Sequence, residues 1–162
     1  MTSRAFTNAT KKFRTQSKQP IVINGDMRIF QRGTTTTGVT ASGYQSADRF
    51  TMDMADQGTF TLSQSTDVPT GQGFFNSFKL DCTTADTSLG ASNRVAFRQV
   101  IEDQNFLPVK KGTSSAETLT VSFWVKSNKT GTYVLELYDL QNSRHCNKSY
   151  TIDSANTWEK RL

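Results

Sequence analysis

Residues 118–138, T-L-T-V-S-F-W-V-K-S-N-K-T-G-T-Y-V-L-E-L-Y, alternate apolar and polar side chains on either side of a turn signal. Alternation with a period of two is the pattern of a half-buried β-strand. It predicts one strand over residues 118–126 and another over residues 132–138. The N-K-T-G segment between them predicts a hairpin, which would place Trp124 and Tyr138 on adjacent strands.

The same alternation recurs elsewhere in the chain. Further strands are predicted over residues 58–64, 76–82, 94–102 and 149–152. Residues 94–102 would also fit a helix, but the flanking pattern favours a strand. Polar loops are predicted over residues 83–93 and around His145, and a short turn around Pro108. Many short strands separated by turn signals indicate an all-β protein with a β-sandwich or barrel.

Composition agrees with this fold class. The chain has 162 residues, of which eleven are Phe, four Tyr and two Trp, and only a fifth are charged. That length fits one domain with a real core, which we expect over residues 21–162. No run approaches the roughly 20 apolar residues that a membrane-spanning helix requires.

The net charge of +5 comes entirely from the N-terminal arm, residues 1–20. The arm contains no acidic residue, and its basic and large apolar side chains are Arg4, Phe6, Lys11, Lys12, Phe13, Arg14 and Lys18. We expect it to anchor the protein, with both phenylalanines inserted into a neighbouring subunit; a disordered tail is the alternative. Since residues 21–162 carry equal numbers of basic and acidic side chains, nucleic-acid binding by the folded domain is not expected.

Signals for catalysis are weak. His145 adjoins Cys146 in sequence, but the partners of a nucleophilic dyad usually meet through the fold, with a third group orienting the base. Neighbouring carboxylates such as Glu102 and Asp103 arise by chance in a chain with fourteen acidic residues. We therefore expect no enzymatic activity, no cofactor and no metal. The calcium site that such sandwiches often carry would lack EF-hand spacing here.

The two cysteines, Cys82 and Cys146, are far apart and form no C-x-x-C motif. We expect two small buried thiols. The alternative is a disulfide, which would need an oxidising compartment. The N-terminus lacks the apolar run of a secretory signal, which predicts a protein made in the cytoplasm.

Two segments are the most distinctive part of the sequence: residues 24–33, N-G-D-M-R-I-F-Q-R-G, and residues 43–50, G-Y-Q-S-A-D-R-F. They resemble the opening of a family of bacteriophage virion proteins, whose tail-fibre and other appendage members carry a carbohydrate-binding-module-like β-sandwich. The resemblance continues more loosely through residues 119–125 and 150–158. It implies a jelly roll, location in the virion, contacts with other virion proteins and a homo-oligomer, with a trimer as the first expectation.

Within this motif we expect a structural role rather than a ligand site. Asn24-Gly25 would bend the chain as it enters the sandwich, because both residues tolerate positive φ. Arg32 and the Asp48-Arg49 pair would tie a Thr-rich loop, residues 34–40, to the body.

Glycan binding is the main functional candidate. Sugar sites combine an exposed aromatic face with polar groups that form paired hydrogen bonds. The predicted outward faces offer Trp124, Tyr138, Glu136 and Arg98. The alternative is that a second sheet, the arm or another subunit covers these aromatics.

Together these features predict a phage virion structural protein, a tail-fibre or appendage component that attaches through its arm and presents a jelly-roll sandwich to the host surface. One alternative is a capsid decoration protein with the same fold. Another is a carbohydrate-binding module of a polysaccharide-degrading enzyme. The last predicted strand begins just before Leu162, so we expect either a longer natural product or an edge completed by another subunit.

Overall fold

The computed structural model describes residues 20–162, so the anchoring side chains predicted between Arg4 and Lys18 lie outside the described residues. The described chain forms nine strands: β1 Thr35–Val39, β2 Phe50–Ala55, β3 Gly58–Ser65, β4 Ser77–Ala85, β5 Arg94–Gln99, β6 Phe123–Val125, β7 Gly131–Asp139, β8 Arg144–Ile152 and β9 Glu159–Arg161. A 3₁₀ helix, Asp103–Val109, contains Pro108 where a turn is predicted. All strand pairs in the described chain are antiparallel, which confirms the all-β prediction.

Residues 20–162 divide into two compact units. The first comprises residues 20–68 and Gly73–Thr118, and the second comprises Pro69–Gln72 and Leu119–Leu162. The single domain over residues 21–162 and the jelly-roll connectivity stay predictions.

The first unit contains two sheets, one with strand order β1-β3-β4 and one that pairs β2 with β5. Alternate side chains of the strands meet between the sheets, as the period-two pattern predicts. The buried core consists of Val39, Met52, Met54, Phe60 and Leu62, with Phe78, Val95 and Phe97 packed against it. The core therefore receives side chains from all five strands.

Two sequence features fix this arrangement. β2 runs into β3 through a corner at Asp56, which has a φ of 45°. Gly58 follows with a φ of 90°, and a Cβ atom there would lie 2.3 Å from the carbonyl oxygen of Thr84 on β4. Only glycine fits such a close approach, so this position determines how near β4 can lie to the corner.

The distinctive motif forms a hydrogen-bonded joint at the entrance to this unit. Asn24 lies in the left-handed region, with a φ of 57°. Its side-chain amide donates to the carbonyls of Ile29 and Asp48, and its oxygen accepts from the backbone amides of Arg28 and Ile29. The predicted bend and the predicted structural role of Asn24 therefore both occur.

Two further links hold the joint to the body. Arg32 Nη1 lies 2.9 Å from Asp48 Oδ1, as the motif predicts. The Gln99 side chain accepts from the amide of Ile23 at 2.9 Å and donates to its carbonyl at 2.6 Å. Gln99 thus bonds Ile23 as a neighbouring strand would.

Several loop predictions in the first unit are wrong. The Thr-rich loop contains strand β1, which pairs with β3 because Thr is well suited to pleated structure. β4 continues through Ala85, three residues into the predicted loop over residues 83–93, since it pairs with β3 as far as Gly58. Cys82 is exposed and free rather than buried, because β4 lies at the edge of its sheet.

In the second unit, β6 pairs with β9 and β7 pairs with β8. The predicted hairpin over residues 118–138 is therefore wrong. The nine residues of β7 find nine partners in β8 through a four-residue turn, residues 140–143. The segment before β6 has no partner strand, so only Phe123–Val125 of the predicted strand over 118–126 forms.

The base of the β7–β8 hairpin is packed, whereas its far end is not. Ile152 is buried, and the rings of Tyr133 and Phe123 both contact that of Tyr150. Leu137, predicted to point inward, is 53% exposed. Cys146 lies opposite Leu137 and is exposed and free, contrary to the predicted buried thiol.

Candidate functional site

The candidate site is the outer face of the β7–β8 hairpin, defined by alternate residues of the two strands. Cross-strand pairs on this face are Thr132 with Thr151, Val134 with Ser149, Glu136 with Asn147 and Tyr138 with His145. Because successive side chains of a strand alternate between faces, these eight share one side of the hairpin. The tip of the face combines an aromatic ring, a carboxylate, an imidazole and an amide.

Glu136, Tyr138 and His145 contact one another directly. His145 Nδ1 lies 2.6 Å from Glu136 Oε1, and the rings of Tyr138 and His145 stack with centroids 4.2 Å apart and an interplanar angle of 13°. The carboxylate fixes the imidazole, and the imidazole in turn supports the tyrosine ring. The result is a preorganised flat aromatic surface. Tyr138 remains 42% exposed, so its ring is accessible to a ligand.

The turn beyond this face is also held by side chains. Asp139 accepts hydrogen bonds from the backbone amide and the side-chain amide of Asn142, and from Arg144. The hydrogen bond from Asn142 is the main cause that lowers the pKa of Asp139, with a smaller contribution from Arg144. Ser143 completes the turn with a φ of 50°.

Two of the four predicted glycan-binding residues share one face of a strand. Glu136 and Tyr138 share the outer face of β7. Trp124 is half-buried on β6, opposite Lys160 of β9, so it is not on a strand adjacent to Tyr138. Arg98 belongs to β5 of the first unit.

Arg98 has a structural partner instead. Asp53 lies on β2 with its side chain 17% exposed, 3.0 Å from Arg94 and 3.1 Å from Arg98. The hydrogen bond from Arg94 lowers the pKa of Asp53, and the charge of Arg98 acts in the same direction against the opposing effect of burial. The arrangement is an ion triad that joins neighbouring strands of one sheet.

Two residues of the candidate site were missed by the sequence analysis, His145 and Asn147. Both were assigned to a polar loop, but they lie in β8, which begins at Arg144. The first six residues of the strand, 144–149, are mostly polar on both faces, so this part lacks the apolar alternation that identifies a strand. The one signal for it was Asp139 followed by Asn142, since an aspartate that caps the backbone a few residues later marks a tight turn.

Other kinds of site are not evident in the part of the chain that the structure describes. Within residues 20–162, no group of three or more His, Cys, Asp and Glu side chains is placed to hold a metal ion. The crevice between the two sheets of the first unit, lined by residues such as Ser46, Met52 and Phe97, has no room for a water molecule. No helix among the described residues is long and apolar enough to cross a membrane.

The sequence and the structure were compared with known proteins, and no relative was found. No family model matches the chain, and no curated protein or solved structure is significantly similar to it.

Proposed function

We propose that this protein is a structural component of a phage virion, of the tail-fibre or appendage type, without enzymatic activity. Support comes from the resemblance of residues 24–50 to that family. The motif residues Asn24 and Arg32 both contact Asp48 in the joint, so the resemblance rests on residues with a shared structural role. In this proposal the N-terminal arm attaches the protein to other virion proteins in the assembled particle.

We further propose that the outer face of the β7–β8 hairpin binds carbohydrate on the host surface. The observation that carries this proposal is the exposed stack of Tyr138 on His145 beside the Glu136 carboxylate. The C–H face of a sugar ring packs on an aromatic ring, which offers a broad apolar surface with a polar edge. Glu136 and Asn147 would accept and donate hydrogen bonds to sugar hydroxyls, which fix the orientation of a ligand.

Weak binding at each copy would suffice. Several copies on one particle convert low-affinity contacts into firm attachment, because each additional contact forms at high effective concentration. The function is therefore mechanical and adhesive rather than chemical.

A glycan array tests the adhesive role. The full-length protein should bind a set of surface glycans, and Tyr138→Ala should weaken binding about tenfold, because covering the exposed part of an aromatic side chain contributes roughly 1–1.5 kcal/mol. Tyr44→Ala is the matched control, because Tyr44 is a similarly exposed tyrosine, 49%, in the first unit. Glu136→Gln should also weaken binding. If neither the native protein nor any variant binds a glycan, the adhesive role is wrong and a decoration role is favoured.

Particle assembly tests the attachment role separately. Deletion of residues 2–19 should prevent incorporation into particles while the circular-dichroism spectrum of the β-structure is retained. Normal incorporation of the truncated protein would contradict the anchoring arm.

A further inference from the structure

The two edges of the β7–β8 hairpin are unpaired within the described residues. β7 and β8 pair only with each other, so each strand presents one row of backbone N–H and C=O groups that no described strand accepts. Unpaired edges of this kind are templates for another strand. A two-stranded hairpin is also marginally stable alone, which makes additional pairing favourable.

The two edges carry opposite charge. β7 contains Glu136 and Asp139 and no basic residue. β8 contains Arg144, His145 and Lys148 and no acidic residue. Lys148 makes no ion pair with any residue from 20 to 162, so its charge remains available.

Glu136 and Asp139 already contact His145 and Arg144 of the same hairpin, so the unpaired Lys148 adds most to the selection among the possible pairings of two hairpins. Two β8 edges would place basic side chains together, and two β7 edges would place acidic ones together; like charges on opposed strands destabilise a sheet. A β7 edge against a β8 edge places acidic side chains beside basic ones. The complementary edges are equal in length, nine residues each, or about 30 Å at roughly 3.3 Å per residue.

We propose that the β7–β8 hairpin is an assembly arm, in which the β7 edge of one copy pairs with the β8 edge of a second copy of this chain. Pairing would continue the sheet from copy to copy and would cover part of Val134 and Leu137, which are 62% and 53% exposed. Because the two surfaces differ, the contact is head-to-tail, and repetition gives a closed ring or an open filament according to the rotation between copies. The inference does not rest on glycan binding, since edge pairing uses backbone groups of the two edges, whereas the proposed sugar contacts use the side chains of Tyr138, Glu136 and Asn147.

The test uses the full chain and two edge variants. Val134→Lys adds a cation to the acidic edge, and Lys148→Glu adds an anion to the basic edge. Matched controls make the same changes elsewhere: Val22→Lys at an exposed valine of the first unit, and Lys129→Glu at an exposed lysine outside the hairpin. Circular dichroism of each variant checks that the β-structure is retained.

Light scattering after size-exclusion chromatography gives the mass of each protein over a range of concentrations. The native protein and both controls should form oligomers, and each edge variant should associate about tenfold more weakly, from the like-charge contact and the lost apolar burial. A monomeric native protein at every concentration would overturn the proposal. Equal effects of Val134→Lys and Val22→Lys would overturn it too.

Mixing the two edge variants tests the head-to-tail arrangement. Val134→Lys retains an intact β8 edge and Lys148→Glu retains an intact β7 edge, so the mixture should recover the mass that each lacks alone. If the mixture stays monomeric, the contact is not between β7 and β8. Glycan binding by Lys148→Glu, measured on the same array, separates failure of assembly from failure of the adhesive role, because Lys148 lies opposite Leu135 on the other face of the hairpin.

Discussion

The first unit and the β7–β8 hairpin of the second unit are both built from antiparallel strands, but they place their side chains differently. In the first unit, side chains from both sheets share a core that includes Met52 and Leu62. In the hairpin, only the base is packed, around Ile152, and the far end exposes both faces. The contrast shows that buried side chains stabilise the first unit, whereas the far end of the hairpin exposes side chains that a partner could contact.

Removing one leucine from each region should give the largest difference. Leu62→Ala should lower the free energy of unfolding by about 2–5 kcal/mol, because Leu62 is only 1% exposed and its loss leaves a cavity. Leu137→Ala removes the same atoms from a surface position and should cost less than about 1 kcal/mol. Urea denaturation measures both. Equal losses would mean that the hairpin has a core of its own.

The joint at Asn24 should give the next largest effect. Asn24→Ala removes four hydrogen bonds and a residue type that tolerates positive φ, so we expect a loss of about 1–3 kcal/mol. Asn128→Ala is the matched control, because Asn128 is exposed and lies outside any strand. Thermal denaturation compares the two variants. A joint variant as stable as its control would show that the motif is not a structural lock.

Acid should weaken the first unit through Asp53. Arg94 and Arg98 hold the folded-state pKa of Asp53 below its ordinary value of about 3.9. A lowered folded pKa means that the contribution is complete above the ordinary pKa and is lost as the pH falls through the lowered one. Asp53→Asn should therefore be about 1 kcal/mol less stable than the native protein at pH 7, with a smaller difference at pH 3. Denaturation at the two pH values measures this, and a difference that grows on acidification would contradict it.

Truncating the exposed tyrosine of the hairpin should have the smallest effect on stability. Tyr138→Ala should change the free energy of unfolding by no more than about 0.5–1 kcal/mol, since only its stack on His145 is lost. Tyr150→Ala at the packed base should cost several times more. Denaturation of both variants sharpens the contrast within one hairpin. A large loss at Tyr138 would mean that the face is structural.

Strands were predicted best from the sequence where one face of the strand is buried. β3 and β5 follow apolar alternation; β3 forms where it was expected, and β5 forms over the first six of the nine predicted residues. Most of β8 was not predicted, because its polar residues give no such pattern. His145 was therefore not recognised as part of the candidate site. The pairing of β7 with β8 rather than with β6 depends on long-range partners, and local periodicity carries no information about them.

The two hydrogen bonds between Gln99 and Ile23 also determine which residues would bear a force that pulls on the N-terminal end of the described chain. Tension that enters the described chain at Pro20 reaches Ile23 before any strand, and Gln99 passes it directly to β5, 76 residues further along the chain. Asn24 and Asp48 take up the load next, so β1 is not pulled until the joint has opened. In a protein held by its N-terminal end, the contacts of the motif would have to break before a pulling force could separate the strands one after another.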